Sequence, residues 1–229
     1  MNAGSGQGEG NHTARWLLVR HGSTDWNREG KIQGHTDTPL SDEGRVQAAS
    51  LGRALKGVDI AAVYASDLSR AVETARLALG DRDIPIRATA ALRELAYGEW
   101  EGVTETEAVR RDPERYARWH TGDPGFAAPG GESYAELKER VAAFAATVSA
   151  RHADGNILIV SHGGVVRMLG LVMLDLPPEM FPRLVVSRAS LSVLDVSPNG
   201  GVLKLWNDVS HYAPGRALGS TEGSLFGLK

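Results

Sequence analysis

Two short apolar runs, far apart in the chain, end in the same pair of residues, His-Gly. The run at 17–19 leads into Arg20-His21-Gly22, and the run at 157–160 leads into Ser161-His162-Gly163. A short apolar run that stops abruptly at polar residues is typical of a buried strand. In an open α/β sheet, ligands bind at the carboxyl ends of the strands. If these two strands are neighbours in a parallel sheet, both imidazoles point into one pocket.

The composition limits the kind of ligand that such a pocket binds. The chain has 229 residues, a net charge of −3 and no cysteine, which excludes disulfide bridges and thiolate zinc sites. Its seven histidines lack the i, i+4 spacing of a helical metal site. No stretch reaches the roughly 18 apolar residues of a membrane span, and the mild acidity argues against a nucleic-acid partner. A local cluster of cations in such a protein indicates a small anionic ligand.

The chain is expected to form one domain at 14–210 between two tails. Residues 1–13 are Gly-rich and polar without the features of a signal peptide, which predicts a disordered tail. Residues 211–229 form the second tail. Inside the domain, the segment 96–131 is expected to be an excursion from the α/β core that contributes to a pocket mouth.

Caps and apolar spacing place the individual elements. Helices are expected to begin after Ser41 and Ser66 and to end at Gly57 and Gly80, and a capping box at Ser133 begins a long helix. Within the excursion, we expect helical fragments at about 104–111 and 113–120 and a loop at 121–131. Further strands are expected at 60–64, 84–88, 190–196 and 202–206, the last two as a hairpin, and a proline-rich loop at 177–182.

Arg70 is a further candidate for an anion site. It lies in the first turn of the helix that follows the strand at 60–64, so its guanidinium and the helix N–H groups face the same point. Its spacing from Leu68 and Val72 places it on a different face from the buried stripe. The ordinary alternative for such a residue is a solvated surface arginine.

Five polar residues near predicted strand ends together indicate covalent phosphoryl transfer: Arg20, His21, Arg70, Glu94 and His162. Guanidinium forks match a phosphate, a neutral imidazole accepts a phosphoryl group, and a carboxyl group near the leaving oxygen acts as general acid. A second imidazole donates to the group in transfer. No metal is required, because side chains supply the positive charge.

A serine nucleophile is the rival chemistry. It would use His162 as the base and Ser23 or Ser161 as the nucleophile. The chain lacks the Gly-x-Ser-x-Gly turn that such an enzyme needs, and this mechanism leaves Arg20 and Arg70 without a role.

Four motifs resemble those of the histidine phosphatase superfamily, in its phosphoglycerate mutase-like branch. They are Arg-His-Gly-Ser-Thr-Asp-Trp-Asn at 20–27, the stretch at 66–75, Leu-Arg-Glu at 92–94 with Gly-Glu-Trp-Glu-Gly at 98–102, and Val-Ser-His-Gly-Gly at 160–164. They occur in the family's order, and the resemblance covers about residues 15–210.

The resemblance implies a fold and a set of roles. The fold is a three-layer α/β/α sandwich with a mostly parallel central sheet and the excursion over the active site. His21 is the residue that becomes phosphorylated, Arg20, Arg70 and His162 complete the phosphate pocket, and Glu94 is the proton donor. The remaining positions expected at the phosphate or substrate are Asn27, Thr24, Gln33, Gly34, Tyr97 and Gly163. The family further implies a cytoplasmic protein, often a homodimer, with no metal and no other cofactor.

Within the family, the residues favour a phosphatase over a bisphosphoglycerate-dependent mutase. The mutases have an Arg-His pair after the catalytic Glu and an Asn two residues after the second His; here Leu95, Ala96 and Gly164 occupy those places. The loop at 121–131 offers no cationic clamp, whereas Tyr97 follows the mutase pattern. A phosphatase for a small phosphomonoester is therefore predicted. A mutase and a catalytically inactive regulatory relative are the alternatives, and the substrate, set by 96–131, stays open.

Overall fold

A computed structural model describes residues 13–213 of the chain. Within them, six strands form one sheet in the order β3-β2-β4-β1-β5-β6. All neighbouring strands up to β1 run parallel, and only β5 runs against the other five. The strands are β1 (Ala14–Arg20), β2 (Ala62–Ser66), β3 (Ile86–Thr89), β4 (Asn156–Ser161), β5 (Leu191–Ser197) and β6 (Gly200–Asp208).

The helices of the described chain alternate with the strands up to β4. Short 3₁₀ segments lie at Ala90–Leu92, Gly98–Trp100 and Pro178–Arg183. The α-helices are α1 (Asp25–Arg28), α2 (Asp42–Ala54), α3 (Ser69–Leu79), α4 (Glu105–Arg111), α5 (Pro113–Trp119), α6 (Tyr134–Arg151) and α7 (Gly163–Met173).

Strand β1 is buried on both faces, and its side chains divide the core in two. Trp16 and Leu18 pack with α6 and α7 on one side of the sheet. Leu17 and Val19 pack with α2 and α3 on the other. Because successive strand residues point to opposite faces, an unbroken apolar run serves both layers. The predicted three-layer α/β/α sandwich with a mostly parallel sheet is confirmed.

The two His-Gly turns are neighbours because β1 and β4 are paired in parallel. Arg20 lies opposite Ser161 in this pairing, and the next backbone N–H, that of His21, donates to the Ser161 carbonyl at 2.9 Å. The residues that follow each strand therefore leave the sheet at the same edge.

The segment 96–131 holds the predicted helical fragments within one residue of their expected limits, as α4 and α5. Thr104 caps α4 in a reciprocal bond with Glu107, and Pro113 occupies the first turn of α5, where its missing N–H costs nothing. Aromatic side chains pack this excursion onto the α6 side of the core.

Boundaries predicted for β2, α2 and α3 are wrong, and the strand expected at 84–88 covers Ile86–Thr89. The second strand covers Ala62–Ser66 rather than 60–64, so Ser66 ends a strand and does not cap a helix. Leu68 is the N-cap residue of α3, and the Ser66 hydroxyl instead accepts from the Leu68 N–H at 3.3 Å. Helix α2 ends at Ala54, before Gly57.

The later elements are closer to expectation. The capping box at Ser133 and the hairpin of β5 and β6 are confirmed. The proline-rich loop is wrong in part, because Pro178–Arg183 forms a 3₁₀ helix with a buried Phe181. Proline in the first turn fixes a φ angle that suits this conformation.

Most of the two predicted tails, 1–13 and 211–229, lies outside the described residues, so the division into a domain at 14–210 and two tails stays a prediction. Between residues 13 and 213, none of the helices has both the length and the apolar character needed to cross a membrane.

Candidate active site

A cleft of about 650 Å³ opens at the edge of the sheet where β1 and β4 end. The strand ends, α3, α7 and the excursion contribute to its walls. Thr24 and Gly34 do not line it. The other predicted site residues do, namely Arg20, His21, Asn27, Gln33, Arg70, Glu94, Tyr97, His162 and Gly163.

His21 is held with one ring nitrogen occupied. Its Nδ1 lies 2.7 Å from the Gly22 carbonyl oxygen, which is an acceptor only, so Nδ1 carries the proton and donates. The Nε2 lone pair is thereby available. Burial lowers the pKa of His21 well below its ordinary value, and the nearby Arg70 and Arg20 lower it further. His21 is therefore a neutral imidazole at physiological pH.

His162 lies beside His21, with ring centroids 5.0 Å apart. It is the N-cap residue of α7 and is completely buried. Neither of its ring nitrogens has a hydrogen-bond partner within residues 13–213. Burial and then Arg70 hold the pKa of His162 well below its ordinary value. A buried polar group of this kind requires a partner, and the position of His162 in the cleft lining offers its ring to a ligand there.

Arg70 is completely buried, so the alternative of a solvated surface arginine is wrong. Its two terminal nitrogens donate to backbone carbonyls of the preceding loop, at 2.9 Å to Thr36 and 2.7 Å to Gly34. Gly34 thus acts behind the cleft wall, by orienting this guanidinium. A side chain there would overlap the Glu101 carboxylate, which explains the glycine.

Two further arginines extend the positive wall. Arg20 donates to the Val186 carbonyl at 2.7 Å, which fixes its guanidinium against the loop that precedes β5. Arg188, from the same loop, lines the cleft and also lowers the pKa of His21. No pattern in the sequence distinguishes Arg188 from an ordinary loop arginine.

Glu94 is held in the cleft by backbone N–H groups. The Leu95 N–H donates to its Oε1 at 2.9 Å, and the Gly164 N–H lies 3.1 and 3.0 Å from its two oxygens. A Cβ atom at residue 164 would overlap Oε1. The first turn of α7 thus carries both His162 and the anchor of Glu94.

Thr24 orders the loop side of the cleft from behind. As the N-cap of α1 it accepts from the Asn27 N–H at 3.2 Å, and its own N–H donates to Asn27 Oδ1 at 3.1 Å. Its hydroxyl also accepts from the Gln33 side-chain amide. Asn27 and Gln33 line the cleft, so one threonine positions two amide side chains.

The far end of the cleft contains a cation that the sequence analysis missed, Arg167 of α7. Its Nε donates to the Leu184 carbonyl at 2.7 Å, and its guanidinium lies 5.5 Å from the centre of the Phe181 ring. Tyr97 lines the same end, and burial and then Glu94 raise its pKa well above the ordinary value. The available signal was a lone arginine in an otherwise apolar helix.

The cleft combines a neutral imidazole with a cluster of fixed positive charges. Guanidiniums of Arg20, Arg70 and Arg188 surround the histidine pair, and fixed cations in a desolvated site stabilise a phosphoryl group strongly. Within residues 13–213, no three His, Asp or Glu side chains form a group that could hold a metal ion.

Comparisons with known proteins agree with this geometry. The family model of the histidine phosphatase superfamily (branch 1) matches residues 16–209. The adenosylcobalamin/alpha-ribazole phosphatase of Escherichia coli K12 is 35% identical over 194 residues, covering 84% of this chain and 95% of that protein. A metal-independent phosphoserine phosphatase of Arabidopsis thaliana is 31% identical, covering 85% of this chain and 82% of that protein.

A solved structure adds the fold to this agreement. YhfR of Bacillus stearothermophilus superposes with a TM-score of 0.81 at 33% identity, covering 86% of this chain and 98% of that chain. The family model matches most of the chain, two relatives are more than 30% identical to it, and a solved structure shares its fold. Together these findings assign the chain to one family. The chain belongs to branch 1 of the histidine phosphatase superfamily, the phosphoglycerate mutase-like branch.

Proposed function

We propose that the protein is a metal-independent phosphatase that hydrolyses a small phosphomonoester through a phosphohistidine. The observation that carries the proposal is the state of His21, a neutral imidazole whose Nδ1 is engaged by Gly22 while cationic side chains surround it. A neutral imidazole among cations attracts a phosphate dianion and attacks it without first losing a proton.

In the first step, the His21 Nε2 lone pair forms a bond to phosphorus as the bond to the leaving oxygen breaks. Arg20, Arg70, Arg188 and His162 stabilise the charge on the phosphoryl oxygens. Glu94, in its protonated form, gives its proton to the leaving oxygen, so the alcohol departs neutral. Asn27, Gln33 and the Gly163 N–H are proposed as further contacts to the phosphoryl group.

In the second step, water hydrolyses the phosphohistidine. Glu94, now a carboxylate, accepts a proton as the water oxygen bonds to phosphorus and the P–N bond breaks. His21 returns to its neutral form and inorganic phosphate is released. The backbone donors of Leu95 and Gly164 hold Glu94 in one position for both proton transfers.

Hydrolysis, rather than transfer to a second substrate, is supported at two positions beside Glu94. Leu95 is apolar and completely buried. It therefore offers no positive charge to a second phosphate, unlike the arginine that the mutases have at this place. Gly164 leaves no side chain between α7 and Glu94. The names of the relatives, phosphatases of alpha-ribazole phosphate and of phosphoserine, favour the same reaction on a small organic ester.

The test is phosphate release from a panel of small phosphomonoesters, in EDTA and without bisphosphoglycerate. We expect wild-type protein to release phosphate under these conditions. His21→Ala should reduce turnover by at least roughly 10³-fold, because removal of the nucleophile leaves only binding and electrostatic terms. Brief reaction with a labelled ester should trap an acid-labile, alkali-stable phosphoprotein in wild type only.

Each alternative has its own signature in this experiment. Faster exchange between 3- and 2-phosphoglycerate than phosphate release, stimulated by bisphosphoglycerate, would identify a mutase. Activity lost in EDTA and restored by a divalent ion would show that the chemistry is misassigned. Ester binding without phosphoprotein or turnover would identify a catalytically inactive relative.

We propose further, from the resemblance, that the protein acts in the cytoplasm as a homodimer. From its charge and its lack of a long apolar stretch, we propose that it has no partners among nucleic acids or membranes. Light scattering on the purified protein measures the oligomeric state.

A further inference from the structure

The arginines of the cleft fall into two groups, according to the side chains beside which they lie. Arg20, Arg70 and Arg188 act on His21. Along α7, a Cβ atom at Gly163 would lie 3.5 Å from the Arg20 guanidinium, and one at Gly164 would overlap the Glu94 carboxylate. Arg167 follows one turn later on the same face of α7, where it interacts with Tyr97 and Tyr134. Glu94 interacts with both Arg70 and Arg167. Along the cleft, the order is therefore phosphate cluster, Glu94, Arg167.

This order fixes the direction in which a substrate lies, given the proposed phosphatase reaction. The phosphoryl group is at His21 and the leaving oxygen is at Glu94, so the rest of the leaving group extends towards Arg167. A cleft of about 650 Å³ leaves room there, since small-ligand sites span roughly 300–1,000 Å³.

Arg167 is built into the wall and is not a mobile surface side chain. Its Nε bond to the Leu184 carbonyl at 2.7 Å fixes the guanidinium plane, and the Phe181 ring at 5.5 Å supports one face. Burial lowers its pKa, but a guanidinium stays protonated at neutral pH because its ordinary pKa exceeds 12. A preorganised guanidinium binds planar anions, above all carboxylates.

The other carboxylates that line the cleft are already engaged. Glu105 accepts from the Tyr116 hydroxyl at 3.0 Å, and Glu29 is paired with Lys31 at 2.7 Å. These contacts reduce their repulsion of an anionic leaving group at the Arg167 end.

We propose that Arg167 is a specificity-determining residue that binds a carboxylate in the leaving group of the substrate. The inference rests on the proposed function, and it names the substrate class as phosphomonoesters of hydroxy acids or hydroxy amino acids. The sequence analysis assigned the choice of substrate to 96–131, whereas this proposal assigns part of it to α7.

The experiment compares esters that differ only at this group. D-3-phosphoglycerate is matched with the glycerol phosphate of the same configuration, which has a hydroxymethyl group in place of the carboxylate. O-phospho-L-serine is matched with O-phosphoethanolamine. Calorimetry on His21→Ala protein measures binding of the intact esters, and wild-type kinetics measure kcat/KM for the same pairs.

We expect the carboxylate ester of at least one pair to bind roughly 10- to 100-fold more tightly, the range of one charge-assisted hydrogen-bonded pair. Arg167→Met in the His21→Ala background should abolish that preference, and Arg167→Lys should keep part of it. In the active enzyme, Arg167→Met should mainly raise KM for the carboxylate ester and change kcat little. Retained binding of the ester that lacks the carboxylate shows that a variant is folded.

Arg28→Met is the matched control, because Arg28 also lines the cleft but is 73% exposed and paired with Asp25 at 2.8 Å. It should keep the wild-type preference. Equal binding of both members of each pair by the His21→Ala protein, or equal loss of preference in the Arg28 and Arg167 variants, would overturn the proposal. Absence of phosphate release from wild type would instead overturn the proposed function, because the binding preference does not depend on turnover.

Discussion

At the scale of single residues, Gly164 has the most direct effect on the proposed acid. Its N–H holds the Glu94 carboxylate at 3.0–3.1 Å, and its missing side chain makes room for that carboxylate. A methyl group there would overlap Oε1, so the carboxyl group would have to leave its bound position.

We therefore expect Gly164→Ala to reduce kcat by roughly 10²-fold, the effect of displacing a catalytic group by about 1 Å. Binding of vanadate, which does not need the acid, should change far less. The neighbouring Gly163→Ala is the comparison, since its new methyl group would lie 3.5 Å from the Arg20 guanidinium, an ordinary contact distance. Equal losses in the two variants would contradict this explanation.

The sequence indicated the identities of the site residues better than their positions. The His-Gly turns and Glu94 reach one cleft because each follows a strand or a short segment that the apolar pattern reveals. The complete burial of Arg70 was not predicted, because spacing along one helix contains no information about the loop that covers it. Arg167 was missed because a single arginine in an otherwise apolar helix carries no motif that marks it as a site residue.

At the scale of elements, the excursion over the cleft is held by a cluster of aromatic side chains. Phe126 is completely buried and packs against Trp100 and Tyr134, with ring centroids 6.0 and 5.3 Å away. Trp119, at the end of α5, reaches from the same cluster to the cleft. The aromatic cluster thus joins the excursion to the core and to the cleft wall.

Phe126→Ala should lower the free energy of unfolding by about 3–5 kcal/mol, the usual cost of removing a buried aromatic ring. Urea denaturation measures it. Val109→Ala, at a site that is 40% exposed on α4, should change stability by no more than about 0.5 kcal/mol. A similar small loss for Phe126→Ala would show that the excursion is not held by this cluster.

The start of α6 was predictable because its capping chemistry is local. Ser133 and Glu136 bond to one another within four residues, and such a pair is visible in any sequence. The start of α3 was not predictable in this way. Leu68 caps it without a side-chain bond, and Ser66 belongs to a strand whose extent is set by β4 and β3.

At the scale of the whole molecule, the site makes stability depend on pH. The pKa values of His21 and His162 are well below their ordinary values in the folded protein, chiefly through burial. The unfolded chain binds protons at both residues below about pH 6.5. Between that pH and the folded pKa values, the unfolded state therefore holds more protons, so stability falls as the pH falls.

We expect the free energy of unfolding to be lower at pH 5 than at pH 7.5 in ligand-free protein, with each histidine contributing up to about 1.4 kcal/mol per pH unit. Urea titrations at several pH values measure the slope. His162→Gln should reduce the slope, whereas replacement of the exposed Asp42, whose side chain lies on the surface of α2, should not. An unchanged slope in His162→Gln would show that burial of His162 does not cause the pH dependence of stability.

The pairing of β1 with β4 has a consequence for how the protein matures. Residues 20 and 161 are 141 positions apart along the chain, yet they are partners in this ladder, and contacts of such long sequence separation form slowly. Until β4 has been synthesised and has inserted between β1 and β2, His21 and His162 are not neighbours. The nascent chain therefore has no catalytic activity through most of its synthesis. Activity begins when β4 has paired with β1 and β2 and the sheet is complete.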